Sequence, residues 1–410
     1  MKTFKSTKSL RSIIVLLLFT TIFSFINSCK ESDESRKKIL KIYNWADYID
    51  EDLLTEFPKW YKEQTGEDVK IVYQVFDMPE VMYTKVAMGK EDFDLVCPTQ
   101  YIIEKMLKKD LLIPINRNFG KTGDSLINIS SFIRDRMDAF SVPGKKAKDY
   151  MVPYMWGTSG ILYNTKKISK EEVESWACMW NPKNKGKILM KDHYWDVYNM
   201  AAIYSFYPDI VSGKRSRYNV SNDHTDQDIA MVEKQLKLLK PNIYGWEADN
   251  GKEMMTKGEI WMDYAWSGDA VWAIEEAATV NVSLDYMVPN EGSNIWFDGW
   301  VIPKYARNVK AASYFLNYLC QAKIALRNMD VSGYCSAVVG REIIESQIDS
   351  TLKETVNLSY FFGPGNDSLH INSIQYPDSS VVNRCVLLHD FLDKNDKILE
   401  MWSRVKGDNL

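Results

Sequence analysis

"KIYNWADYID", residues 41–50, sets Tyr43, Trp45 and Tyr48 around the carboxylate of Asp47. A buried strand has no need of a carboxylate, and a solvated loop has no need of three aromatics. Just upstream, "KILKIYNW" (38–45) alternates apolar and polar positions and reads as a strand. Trp45, Asp47 and Tyr48 therefore lie at its carboxyl end. Helical spacing follows from Asp50 to Gln64, where Leu53, Leu54, Phe57, Trp60 and Tyr61 share a face and Gly66 gives the stop. Pro58 inside this stretch removes a hydrogen bond and predicts a kink or restart.

The alternation continues. "VKIVYQVF" (69–76) is a second strand, and "PEVMYTKVAMG" (79–89) a helix with Pro at its start and Gly at its end. "FDLVCP" (93–98) reads as a buried strand and "YIIEKMLKKD" (101–110) as a helix. Further on, "GILYN" (160–164) and "KILM" (187–190) are strands, with helices around 198–205 and 227–239. "RNVKAASYFLNYLCQAKIALRNM" (307–329) predicts one long amphipathic helix. Strands alternating with helices imply mostly parallel sheets covered on both faces. A chain of 410 residues is too long for one core of the usual size, so two α/β lobes are expected. Ligands in such sheets lie beyond the carboxyl ends of the strands.

Composition narrows the function. The formal net charge of −4 argues against a nucleic-acid partner, which would require a basic face. Aromatics make up 13% of the chain, including 13 Trp and 23 Tyr, which suits a ligand cleft or an interface. Cys97, Cys178, Cys320, Cys335 and Cys385 are scattered, and His193, His224, His370 and His389 show no metal-binding spacing. No metal, cofactor or disulfide framework is expected, and the cysteines read as small buried hydrophobes.

The N-terminus carries Lys2, Lys5, Lys8 and Arg11, then an apolar run over residues 13–26 too short to span a bilayer comfortably. The run ends at "INSC" (26–29), which resembles the lipobox of bacterial lipoproteins with Cys29 as the lipidated residue. Residues 1–29 are thus expected to be a lipoprotein signal peptide and 30–37, "KESDESRK", a polar tether. The mature protein would sit in the periplasm, anchored to a membrane by lipid.

The mixture of the opening stretch recurs. "DYAWSGDAVW" (263–272) holds Trp266 and Asp269, and "NIWFDGW" (294–300) holds Trp296 and Asp298. "KDHYWDVY" (191–198) offers Asp192 and Asp196, and Thr99, Gln100 and Tyr101 follow the strand at 93–98. Carboxylates accept charge-assisted hydrogen bonds from ammonium groups. Aromatic faces cover methylenes and attract cations by roughly 0.5–2 kcal/mol each. The pairing suits a cation with an apolar stem, such as an aliphatic diamine or triamine. Any single run is equally met by core packing with the Asp capping a helix.

From about Lys38 onward the chain resembles the periplasmic spermidine/putrescine-binding proteins of polyamine ABC transporters. The stretches that carry the resemblance are "YNWADYI", "FDLVCPTQYIIEKM", "VPYMWGTSGILYN", "VESWACMWNPKNKGKILM", "WSGDA", "IWFDGWVIP" and "PDSSVVN". The resemblance implies a two-lobed periplasmic-binding-protein fold of type II-like form, each lobe a mostly parallel sheet flanked by helices, with the ligand cleft between lobes. Lobe 1 would comprise residues 38–156 and 299–348, and lobe 2 residues 157–297 and 352–410. It implies ligand-binding roles for Trp45, Asp47, Tyr48, Thr99, Tyr101, Asp196, Trp266, Asp269, Trp296 and Asp298, and no catalytic residue. The implied partners are a polyamine and ABC permease subunits, with the receptor itself a monomer.

Three positions depart from the family pattern. His193 stands where spermidine binders carry an acid, Leu388 where a glutamine reaches the cleft, and Cys335 where proline is usual. Two alternatives remain. One is an extracellular glycoside hydrolase, since carboxylates beside Trp and Tyr also suit sugars. The other keeps the binding fold for an amino acid, a sugar or a ferric ion.

Overall fold

The computed structural model describes residues 34–407 except Asp249. The expected signal peptide, Cys29 and residues 30–33 of the tether lie outside the described residues. The end of the expected tether is not loose. Arg36 pairs with Asp92 at 2.6 Å and with buried Asp94 at 3.0 Å, tying the chain to the domain.

The first lobe starts from β1 (Ile39–Trp45), β2 (Lys70–Phe76) and β3 (Leu95–Val96), all parallel. The helix Asp52–Thr65 between β1 and β2 stops where expected, at Gly66, whose positive φ lets its N–H reach the Lys62 carbonyl. Pro58 does not divide it, because Phe57 and Tyr61 are both anchored in the core on either side. After β4 (Leu112–Ile113) comes β5 (Met151–Asn164), fourteen residues, every one buried.

The second lobe holds β6 (Ile188–Lys191) in parallel with β7 (Ile243–Glu247) and β8 (Met262–Trp266), and β9 (Leu284–Met287) lies antiparallel to β5. The chain then returns through β10 (Ser293–Pro303), also fully buried. Two short strands complete the sheet, β11 (Cys335–Ser336) on β5 and β12 (Cys385–Val386) on β10. The main strand order is β2-β1-β3-β10-β5-β8-β6-β7. β5 and β10 run antiparallel through the middle, so the sheet is continuous from one parallel trio to the other.

The single helix expected over 307–329 is two, Val309–Leu319 and Ala322–Ser332. Gln321 is extended (φ −73°, ψ 134°), and its carbonyl starts the second helix by accepting the N–H groups of Ile324 and Ala325. The Cys320 carbonyl accepts instead from the Asn128 amide, 3.3 Å away, a partner invisible to helical periodicity. The five described cysteines are free thiols, and burial pushes Cys320 and Cys385 up to about 12. Among the described residues, no helix is long and apolar enough to cross a membrane.

Candidate functional site

Strand ends deliver most of the site, and the middle of β10 supplies the rest. At the end of β1 the chain turns through Asp47 in the left-handed region (φ 50°), a conformation that Asp tolerates better than most residues. That turn places Trp45 and Tyr48 in the cleft wall and leaves the Asp47 side chain at the rim, 71% exposed. Thr99 and Tyr101 stand at the N-terminus of the helix Gln100–Lys108, directly after β3. Asp196 occupies the first turn of the helix Tyr194–Val211, after β6. Trp266 ends β8, and Asp269 lies in the first turn of the helix Ser267–Thr279. Trp296 and Asp298 come from the middle of β10, where the register against β5 shifts between Phe297 and Gly299. All ten residues expected at the site line one cavity of ≈ 60 Å³. That is room for roughly four to six water-sized groups.

Asp298 is the focal carboxylate. It is 6% exposed, and its Oδ2 accepts a 2.7 Å hydrogen bond from the Tyr48 hydroxyl. Oδ1 is buried and has no partner among the described residues. Burial, opposed first by the Tyr48 bond and then by the neighbouring Thr99 side chain, pushes its pKa up to about 7. The indole N–H groups of Trp45 and Trp296 are also buried without partners among the described residues. Unmet buried polar atoms facing a cavity are what a polar ligand would complete.

Asp196 is engaged on both oxygens. Oδ1 accepts from the Asn294 amide at 2.9 Å, and Oδ2 from the Trp266 indole at 2.9 Å. His193 Nδ1 lies 3.1 Å from the same Oδ2, and its Nε2 meets the Tyr101 hydroxyl at 3.0 Å. Burial opposes charge on this imidazole, yet Asp196 outweighs it and the pKa is raised.

Asp269 is satisfied too. Oδ1 accepts from the Tyr334 hydroxyl at 2.7 Å, and Oδ2 lies 3.1 Å from the Lys191 ammonium. Lys191 is fully buried, pairs also with Glu247 at 2.9 Å, and rests 4.3 Å from the Trp266 ring centre. Burial works against its charge, but Asp269 and Glu247 hold its pKa above the ordinary lysine value. The neighbouring Asp263 is pushed strongly upward, by burial first and then by Glu247.

Sequence reasoning missed Tyr334, Asn294, Lys252 and Lys191. Tyr334 crosses to the site because Gly268 leaves space, since a β-carbon there would overlap the Tyr334 ring. The glycine of "WSGDA" was the available signal. Lys252 lines the cavity and reaches Asp47 at 3.4 Å. Asp192, offered by its motif, instead pairs with Lys406 at 2.5 Å.

Known proteins agree with this architecture. The chain is 29% identical over 318 residues to the spermidine/putrescine-binding periplasmic protein of Escherichia coli, covering 76% of this chain and 82% of that one. It is 28% identical over 331 residues to a putrescine-binding periplasmic protein of Pseudomonas aeruginosa, covering 77% and 82%. A solved structure described as a putative spermidine/putrescine ABC transporter from Listeria monocytogenes superposes with a TM-score of 0.70 at 27% identity, covering 90% of this chain and 99% of that one. The two-lobed fold is that of periplasmic binding proteins. A sequence profile described as bacterial extracellular solute-binding protein matches residues 58–340, more than half of the chain, from the first helix to the strand beside Tyr334. With the fold, the cleft and this match in agreement, the chain belongs to the bacterial extracellular solute-binding protein family.

Proposed function

We propose that this chain is the extracytoplasmic receptor of an ABC importer and that its solute is a polyamine. The observation that carries this reading is Asp298, a buried carboxylate in the lining of a cavity walled by Trp45, Trp266 and Trp296, with one oxygen that has no partner among the described residues. An ammonium there replaces its lost water with a charge-assisted hydrogen bond, and the indoles cover the methylenes. A neutral sugar would leave the carboxylate uncompensated. The relatives' descriptions as spermidine/putrescine- and putrescine-binding periplasmic proteins support the same solute class and a periplasmic location. They are transport components, which supports a binding role over a catalytic one.

In this reading β5 and β10 are the hinge crossings, near residues 156–162 and 294–300, with a third crossing near Ser350. Residues 38–156 and 299–348 would move against 157–297 and 352–410, and closure would bury the ligand. Cys29 would carry the lipid anchor, and the receptor would act as a monomer. Calorimetric titration with putrescine, spermidine, ornithine and a neutral sugar tests the solute. Micromolar or tighter binding of a polyamine, lost in a variant with Asp298→Ala and Trp266→Ala, is expected. Binding of the sugar alone would favour a carbohydrate site.

A further inference from the structure

Three carboxylates lining the cavity are buried: Asp196 at 5% exposure, Asp269 at 4% and Asp298 at 6%. Each carries a charge that could receive one ammonium. The structure sorts them. Asp298 has a buried oxygen without a partner among the described residues. Asp196 faces His193, whose proton can leave when another cation arrives. Asp269 faces Lys191, which keeps its proton at any physiological pH, sits 4.3 Å from the Trp266 ring centre and does not belong to the cavity lining.

We propose that Lys191 is a resident ammonium that holds the cation position at Asp269 and Trp266, limiting the cleft to two ligand ammonium groups and thereby selecting a diamine over a triamine. The proposal rests on the amine reading of the site. Lys191 acts through Asp269 and Trp266 and is a positioning residue. Its second partner, Glu247, also accepts the Gly251 N–H at 2.9 Å, so the lysine is not Glu247's sole support and remains available to Asp269. A third ammonium would meet a carboxylate already bonded to Lys191 and Tyr334, beside an indole that already has a cation over one face. Burying charge without a counter-charge is costly, so the triamine is penalised.

The test is calorimetric titration of the purified full-length protein with putrescine and with spermidine, in wild type and two variants. Wild type is expected to bind putrescine at least about tenfold more tightly. Lys191→Met combined with Glu247→Gln removes one charge of each sign, leaves the cluster's net charge unchanged and frees Asp269. The affinity ratio should then move at least about tenfold toward spermidine, while Lys191→Arg should keep the wild-type order. A purely structural role for Lys191 would weaken both ligands alike. Wild type preferring spermidine, or a ratio unchanged in the double variant, overturns the proposal. Should the double variant not fold, the wild-type order and Lys191→Arg decide, because loss of the putrescine preference in either overturns the proposal. Wild type silent toward both amines overturns the amine reading itself.

Discussion

Asp298 and Asp269 look alike in sequence, each an aspartate two or three residues after a tryptophan, and in the fold each is buried and bonded to a tyrosine hydroxyl at 2.7 Å. The two tyrosines, Tyr48 and Tyr334, even pack edge to face with ring centres 5.3 Å apart. The difference lies behind the carboxylates. Asp269 has a lysine within 3.1 Å, whereas Asp298 keeps an oxygen without a partner among the described residues and a pKa near 7. On the proposed reading, one carboxylate is held by the scaffold's own cation and the other receives the ligand's. A buried acid therefore announces a binding site only when its counter-charge is missing.

The most severe way to break the comparison is Lys191→Met alone. It leaves Asp269 and Glu247 buried without their cation, and a loss of about 3–5 kcal/mol in denaturant-unfolding stability is expected. Asp298→Asn should do the opposite, leaving stability unchanged or improved while weakening polyamine binding by about 3 kcal/mol, roughly a hundredfold. An Asp298→Asn protein that binds normally would remove Asp298 from the site.

Acidity sharpens the contrast. Asp298 must be ionised to hold an ammonium, so with a pKa near 7 it releases a proton when ligand binds in mild acid. The groups around it are Asp196, which raises its pKa, and His193, Tyr48 and Thr99, which lower it, with the Cys97 thiol close enough to feel its charge. Loss of the His193 proton at higher pH also frees Asp196, so both groups act in the same direction. Affinity should rise about tenfold from pH 6 to pH 8. Titrations in buffers of different ionisation enthalpy should show proton release at pH 6. For the ligand-free fold, a raised carboxylate pKa contributes stability below the unfolded value, and that contribution is lost as pH climbs through about 7. The smallest effect is expected at the rim. Asp47→Ala removes an exposed carboxylate from Lys252 and should change affinity by less than about 1 kcal/mol.

The order of strands and helices was legible because periodicity and the Gly and Pro stops are local signals. The helix ending at Gly66 and the strand ending at Trp45 needed nothing from elsewhere in the chain. The split at Gln321 was hidden because the group that takes the Cys320 carbonyl, Asn128, lies 192 residues away. The ten candidate residues that line the cavity were named because their aromatics and carboxylates are adjacent in sequence and their motifs resemble those of the polyamine-binding family. Tyr334 was not, since it stands in no run of that kind, and neither was Lys191, which opens the run at 191–198 but whose partner Asp269 lies 78 residues away.

By itself, the sequence determined an α/β chain of two lobes whose strand ends gather aromatics and carboxylates. Tertiary structure alone decided which carboxylate keeps an unpartnered oxygen among the described residues. Lys191 reaches Asp269 across 78 residues, and Tyr48 reaches Asp298 across 250. The physical reason is that a buried charge is governed by groups within a few ångströms in space, a distance that sequence separation does not measure.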